Sequence, residues 1–586
     1  MPRRSRRPEP AVSRPLKPPT PEQLAERIRQ ALGHCPADLV IKNVRILDVV
    51  GGQLSTGDIA INGGYIVGVY DSYAGRREID GCGLVAVPGF IDAHVHIESS
   101  LVTPAEFDRN VLLRGTTTAI CDPHEISNVL GVAGLQFFLD SALGLAMDLR
   151  VKLPSCVPAT DLETSGARLD AGQLIAFRDH PAVLGLAEMM NFPGVFRCEP
   201  GLLAKLAAFQ GRHIDGHAPL LCGRELNAYA AVGISNDHES TSRDEARDKL
   251  RRGLQVFLRE GSAAKTVATL APLISDTVSP FLAFCTDDRS PLDIAEQGHI
   301  DHCIRTALAA GAPMTAVYRT ASWSAARSFG LTDRGLIAPG YVADIVLLDD
   351  VETCRVRTVI RGGAVVDDRL FARRPQPIPA IGRASVKLDP VAAQQFAVPA
   401  CGPTGPVIGL RPDQLVTDHL TLSLPYRNGQ RLADPDQDVL KVCVLARHGS
   451  NRNIGRGFVK GFGLRNGALA SSVGHDSHNV IVVGDSDRDM ALAVNRLITI
   501  EGGFVAVRGD EVLAELPLPL AGLMSDLPFG KVCDRLSLLR RAAWAMGCRL
   551  CEPFLTLSFL PLPVIPHLKI TDRGLVDVDR FALIAA

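Results

Sequence analysis

His94 and His96 are spaced i, i+2, which on a strand sets both imidazoles on one face. They close a mostly apolar run, Val87-Pro88-Gly89-Phe90-Ile91-Asp92-Ala93-His94-Val95-His96. Two imidazoles side by side at the rigid end of a buried strand can hold a first-row transition metal. A bare pair of this kind is also common among ordinary core and surface histidines, so its meaning depends on the residues downstream. His124, Glu188, His217, His238 and the pair Asp287-Asp288 come later, each after a short apolar stretch. Imidazoles and carboxylates recurring in this way suit a metal that activates water for hydrolysis. No Gly-x-Ser-x-Gly turn points to a serine nucleophile instead.

The elements needed to position these residues are legible as a rhythm. Between Pro88 and about Leu331, strand-like and helix-like segments alternate, as in parallel βα units. Strands are expected at 88–94, 116–121, 151–157, 183–188, 212–217, 233–238, 254–259 and 280–286, with helices such as 200–209 and 243–252 between them. Thr103-Pro104-Ala105-Glu106 has capping-box spacing with proline at N1, so a helix should start there and stop near Gly115. Eight such strands make a (β/α)8 barrel, whose chemistry sits at the C-terminal strand ends, where the histidines and acids lie.

The phrase Pro-Gly-Phe-Ile-Asp-Ala-His-Val-His resembles the first-strand signature of the amidohydrolase superfamily, metal-dependent hydrolases on a (β/α)8 barrel. The longer string through Ile97-Glu98-Ser99-Ser100-Leu101-Val102-Thr103-Pro104 is similar to its adenine deaminase branch, as are Asn453-Ile454-Gly455-Arg456-Gly457-Phe458-Val459-Lys460 and Gly474-His475-Asp476-Ser477-His478-Asn479. The resemblance implies that His94 and His96 bind the more buried metal, Glu188 bridges two metals, and His217 and His238 hold the second. It implies that Asp287 is both last-strand ligand and proton carrier. A glutamate bridge replaces the carboxylated lysine of many relatives, because Lys152 falls on an earlier strand. His124, Glu125 and Glu98 match the deaminase branch and are divided evenly between substrate contact and structural hydrogen bonding; Arg259-Glu260-Gly261-Ser262-Ala263-Ala264-Lys265 also resembles that branch, with no role assigned. The implied activity is hydrolytic deamination of adenine to hypoxanthine and ammonia at a binuclear centre, with manganese or ferrous iron ahead of zinc.

The rest of the 586-residue chain frames this barrel. Residues 1–20 read as a basic, proline-rich tail and 21–37 as a short helix and lead-in. Short β-branched runs at 38–87 and again at 336–372 imply a discontinuous β-sandwich flanking the barrel at 88–335. A proline-rich linker spans 373–385, and 386–586 forms a further α+β domain, with Asp485 able to cap a helix. His475-Asp476-Ser477-His478 reads either as a second metal-binding or substrate-facing loop or, somewhat better, as a hydrogen-bonded turn at a domain contact.

A net charge of −2 gives no pull toward nucleic acid or anionic membrane, so a small purine is the expected partner. Neither a secretory signal nor a membrane span is expected. Fourteen scattered cysteines suggest reduced thiols in a cytoplasm, and the expected assembly is a homodimer or larger homo-oligomer. A cytidine-type zinc deaminase is set aside, because Cys548-Arg549-Leu550-Cys551 lacks the preceding proline and falls in another domain. The alternatives are a cyclic-amide hydrolase or sugar deacetylase on the same barrel, or a non-catalytic scaffold that has lost its ligands.

Overall fold

The computed structural model describes residues 19–374, 379–411 and 414–586. Nearly all of the basic tail and part of the expected linker lie outside the described residues. Thr20 caps the first helix, Pro21–Ala31: its hydroxyl accepts the Gln23 N–H, and the Gln23 side chain returns to Thr20 N–H.

Eight parallel strands carry the candidate site. These are β1 (Phe90–Val95), β2 (Thr116–Cys121), β3 (Asp148–Leu153), β4 (Val183–Met189), β5 (His213–Gly216), β6 (Asn236–Asp237), β7 (Gln255–Arg259) and β8 (Leu282–Cys285). β1 to β5 form one parallel sheet and β6 to β8 another. Backbone hydrogen bonds join them at both seams. Ser235 N–H donates to Ile214 O at 3.0 Å, and at the far edge Asp287 N–H donates to His94 O at 2.9 Å and His96 N–H to Asp287 O at 3.2 Å. β1 and β2 are buried throughout, as befits strands covered on both faces.

Several boundaries differ from expectation. β3 begins at Asp148, where pairing with Thr118 starts, and stops before Pro154, which cannot donate to a ladder. β6 shrinks to two residues, because the side chain of Asn236 takes the Gly216 N–H that a longer ladder would use. The 103–106 capping box is only half made. Thr103 accepts the Glu106 N–H, but the Glu106 carboxylate instead accepts the Phe529 N–H at 2.9 Å, capping helix Phe529–Ala545 of the C-terminal region.

Strands from both ends of the barrel segment share one mixed sheet. Val85–Pro88 pairs antiparallel with Ile345–Leu348, Ile345 facing Pro88, which zips the chain closed before and after the barrel. Leu39, Ile41, Ile59, Ile345 and Ile360 bury together on this sheet.

Beyond residue 400, an eight-stranded, mainly antiparallel sheet carries helix Asp487–Thr499 on one face. Met490, Val494 and Leu497 pack there on Val480, Val482 and Val505. Ser486 caps that helix rather than Asp485, whose carboxylate is occupied by the N–H groups of Asn466 and Gly467. A continuous hydrophobic cluster runs from the barrel (Phe138, Leu186) into this region (Leu440, Leu518, Met524), so the two bodies share core. Among the described residues no helix is long and apolar enough to cross a membrane. All fourteen cysteines are free.

Candidate metal centre

Six of the expected residues converge where the parallel strands end. His94 comes from β1 and His96 from the position just after it, Glu188 from β4, and His217, His238 and Asp287 from the turns after β5, β6 and β8. None is more than 4% exposed. The i, i+2 spacing works as anticipated: His94 Nε2 and His96 Nε2 lie 3.0 Å apart, aimed at one point. His96 donates its Nδ1–H to Asp122 O at 3.0 Å, the tautomer that leaves Nε2 with its lone pair toward the cluster.

Glu188 is the centre of the arrangement. Its Oε1 lies 3.5 Å from His94 Nε2 and 3.2 Å from His96 Nε2, and its Oε2 lies 2.7 Å from His217 Nδ1 and 3.4 Å from His238 Nε2. One carboxylate thus faces one histidine pair with each oxygen. Asp287 Oδ1 closes the first group, 3.4 Å from His94 Nε2 and 3.1 Å from His96 Nε2. Its backbone takes a φ of 55°, the sparsely populated left-handed region, which turns the carboxylate inward.

The electrostatics favour a bound cation. Burial opposes ionisation of Glu188, yet hydrogen bonds from His217, His238 and His94 hold it well below the usual carboxylate range. Asp287 is held low against burial chiefly by the Arg259 guanidinium. Burial alone would lower His94, but Asp287 and Glu188 lift it to about 10. Carboxylates that would hold protons on neighbouring imidazoles can hold a divalent metal in their place. The ligand atoms of Glu188, His217 and His238, and those of His94, His238 and Asp287, lie within 4.8 Å of one another. The donor set therefore fits a metal.

His124 and Glu98 part company. His124 stands beside the cluster, Nδ1 3.0 Å from Asp122 Oδ2 and 3.7 Å from Glu188 Oε1, with Nε2 3.5 Å from Asp476 Oδ1. Despite burial, Asp122 and Asp476 push it well above the usual histidine value. Glu98 stands back from the cavity and accepts the Ile126 N–H at 3.1 Å. Burial and the nearby Glu125 raise its carboxyl to about 8.

Sequence reasoning left Arg259 unassigned and missed Glu239. Arg259 Nη1 lies 2.5 Å from Asp287 Oδ2, and its Nη2 donates to Glu239 Oε2 at 2.9 Å. A basic residue at the end of β7 was the available signal. The C-terminal loop also reaches the site: His475, Asp476, Phe559 and Leu562 line the cavity beside Met190 and Leu415. His475 stacks on Phe559 at 4.4 Å. Glu125, His475 and His478 form a further close cluster. His478 Nδ1 accepts the Gly474 N–H at 3.3 Å, which puts the ring proton on Nε2, facing Glu125 at 3.6 Å. That separation is too long for a hydrogen bond, and neither atom makes one; Asn479, donating to Thr164 O at 2.8 Å, ties the same loop to the barrel.

Residues 85–366 match the Amidohydrolase family, and residues 414–582 match the Adenine deaminase C-terminal domain. The chain is 61% identical over 565 residues to the adenine deaminase of Methylobacterium nodulans, covering 96% of this chain and 100% of that one. It is 59% identical over 562 residues to that of Gluconobacter oxydans, covering 96% and 99%. Among solved structures, atrazine chlorohydrolase TrzN from Arthrobacter aurescens TC1, complexed with zinc, is 16% identical, with a TM-score of 0.42 over 57% of this chain and 99% of that one.

Proposed function

This chain belongs to the adenine deaminase family of the amidohydrolases, and from that premise we infer that it is a metal-dependent hydrolase converting adenine to hypoxanthine and ammonia. The observation that carries the reading at the site is Glu188, with one carboxylate oxygen toward His94 and His96 and the other toward His217 and His238. We propose that the site would hold two divalent metals, with His94, His96, Asp287 and Glu188 as ligands of one and His217, His238 and Glu188 of the other. Nitrogen and carboxylate donors accept manganese, iron or zinc, and on the family resemblance we propose manganese or ferrous iron ahead of zinc. When bound, such a pair supplies Lewis acidity that brings the pKa of a water toward neutrality.

The protein's own groups do the rest. Asp287 takes one proton of the attacking water and delivers it to the ring nitrogen as the C6–O bond forms; it then takes the remaining hydroxyl proton and passes it to the amine, so that the C6–N bond breaks, ammonia leaves and the C6 carbonyl of hypoxanthine remains. Arg259 holds that carboxylate in place. His124, fixed between Asp122 and Asp476, stands ready to donate to a purine nitrogen. Met190, Leu415, Phe559 and Leu562 exclude bulk water. Glu98 we read as a structural acceptor for Ile126.

The two hydrogen-bonded seams support a closed (β/α)8 barrel, and the shared core of 39–88 with 345–365 supports a β-sandwich beside it. The free thiols support a reducing, cytoplasmic setting. The expected homodimer or larger assembly is measured by light scattering. The test of function is ammonia release across a panel of purines, with metal analysis of the same sample. Adenine should yield ammonia and hypoxanthine without a new carboxylate. No ammonia from adenine with metal-replete protein would overturn the reading.

A further inference from the structure

The metal-facing cavity holds about 20 Å³ of free space, and Leu415, Phe559 and Leu562 line it together with the proposed ligands. Beside it lies a second cavity of about 380 Å³, between Ser262 and Ala263 after β7 and the C-terminal region. This size falls in the ~300–1,000 Å³ range of small-molecule sites. The two cavities share two wall residues, Leu415 and Phe559. The cavity over Cys156 and Lys205 shares no wall residue with the metal-facing one.

The backbone of the shared wall is pinned at both residues. Lys569, itself buried, donates its Nζ–H groups to Leu415 O at 2.8 Å and to Phe559 O at 3.2 Å. The outer rim is open, with Arg411, Gln414, Arg549 and Cys551 exposed. On the barrel side Ser262 N–H donates to Asp288 O at 2.8 Å, so the rim connects directly to the turn that carries Asp287. Leu410, Phe462 and Leu560 give apolar wall and Ser262, Thr417 and Thr556 hydroxyls, which a heterocycle can use, beside the charged Arg411, Asp438, Arg549 and Glu552 of the same lining.

We propose that this second cavity is the route by which the neutral purine base reaches the metal-facing site, with the side chains of Phe559 and Leu415 as its inner gate. The proposal rests on the adenine-deaminating reading. In its ground state Phe559 is held closed by its stack on His475, and passage requires the ring to leave that stack.

Cys551, exposed at the rim, provides the handle for a test. Holoenzyme is treated with a methylthiolating reagent or a polyethylene-glycol maleimide, the adduct is located by mass spectrometry, and Cys551→Ser is carried in parallel. A bulky adduct at Cys551 should lower kcat/KM for adenine by about tenfold or more, as a restricted association step does. It should also slow metal removal by a chelator. The methylthio adduct and the treated Cys551→Ser protein should stay close to untreated enzyme. Thr556→Trp, which fills the cavity from within, should reproduce the loss with metal retained. If the bulky adduct and Thr556→Trp both leave kcat/KM and the chelation rate unchanged, the route is elsewhere. If untreated enzyme releases no ammonia from adenine, the functional reading fails instead, and the chelation rate still decides the route.

Discussion

Arg259 Nη1 lies 2.5 Å from Asp287 Oδ2, while the same guanidinium grips Glu239 through Nη2. One planar cation therefore links the end of β7 to the acidic turns after β6 and β8, and all three side chains are nearly inaccessible to solvent. A buried pair of this kind contributes little net stability, but removing one partner leaves an uncompensated charge.

Arg259→Met should consequently cost both stability and rate. Breaking the pair strands Glu239 and Asp287, with an expected loss of about 3–5 kcal/mol. Arg259→Lys should recover only part of it, because a point charge cannot reproduce the fork that serves two carboxylates. Thermal unfolding and steady-state kinetics of the two variants check this. Equal behaviour of Lys and Met at position 259 would contradict the forked geometry.

Asp287 itself has two separable tasks in the proposed mechanism. Asp287→Asn keeps the shape and a ligating oxygen but cannot accept a proton, so kcat should fall by ~10²–10⁴ with KM little changed. Metal analysis of the same sample is essential. Near-normal kcat refutes the proton-carrier role, and a loss that follows metal content leaves Asp287 as a ligand alone.

Much of the metal-facing cluster was legible because a parallel βα rhythm places strand-end residues on one rim whatever lies between them. His94, His96, Glu188, His217, His238 and Asp287 are spread over nearly 200 positions, yet each sits at or just past a strand end. What escaped was non-local. The partnership of Arg259 depends on the left-handed backbone at Asp287, which no periodicity announces. The cavity-lining residues Phe559 and Leu562 belong to a separate stretch of chain, and docking between bodies leaves no repeating pattern in either. Two capping carboxylates were diverted for a similar reason: Thr103 caps its helix as expected, but Glu106 and Asp485 were claimed by N–H groups distant in sequence, Phe529 for one and Asn466 with Gly467 for the other.

His448 supplies a pH test away from the cluster. Its Nε2–H donates to Ser477 O at 2.7 Å, and burial, with the Arg447 charge behind it, pushes the imidazole down to about 3. An unfolded histidine titrates near ~6.5. Between those values the unfolded chain binds the extra proton, so stability falls as pH drops through this window. His448→Gln, which keeps a donor for Ser477, should flatten that acid limb by up to ~1.4 kcal/mol per pH unit. Denaturant midpoints of the two proteins from neutral pH downward measure the difference, and parallel curves would show that His448 is not held neutral.

The proposed metal ligands are not equivalent, and their asymmetry can be measured. If Glu188 serves both histidine groups, chelation should abolish deamination, Mn²⁺ or Fe²⁺ should restore it, and two metals per chain should accompany full activity. Glu188→Ala removes the only side chain whose two oxygens face both groups among the six proposed ligands, so both metals should be weakened together. His217→Ala touches the second group alone, since its Nδ1 meets Glu188 Oε2, while His94, His96 and Asp287 remain intact around Oε1. That variant should retain about one metal of the pair after dialysis, because outer or single-ligand losses weaken rather than erase a site. Metal content of the two variants, read side by side, separates the possibilities. Equal depletion would mean that the groups are not distinct sites, and full retention in Glu188→Ala would remove Glu188 as the bridge.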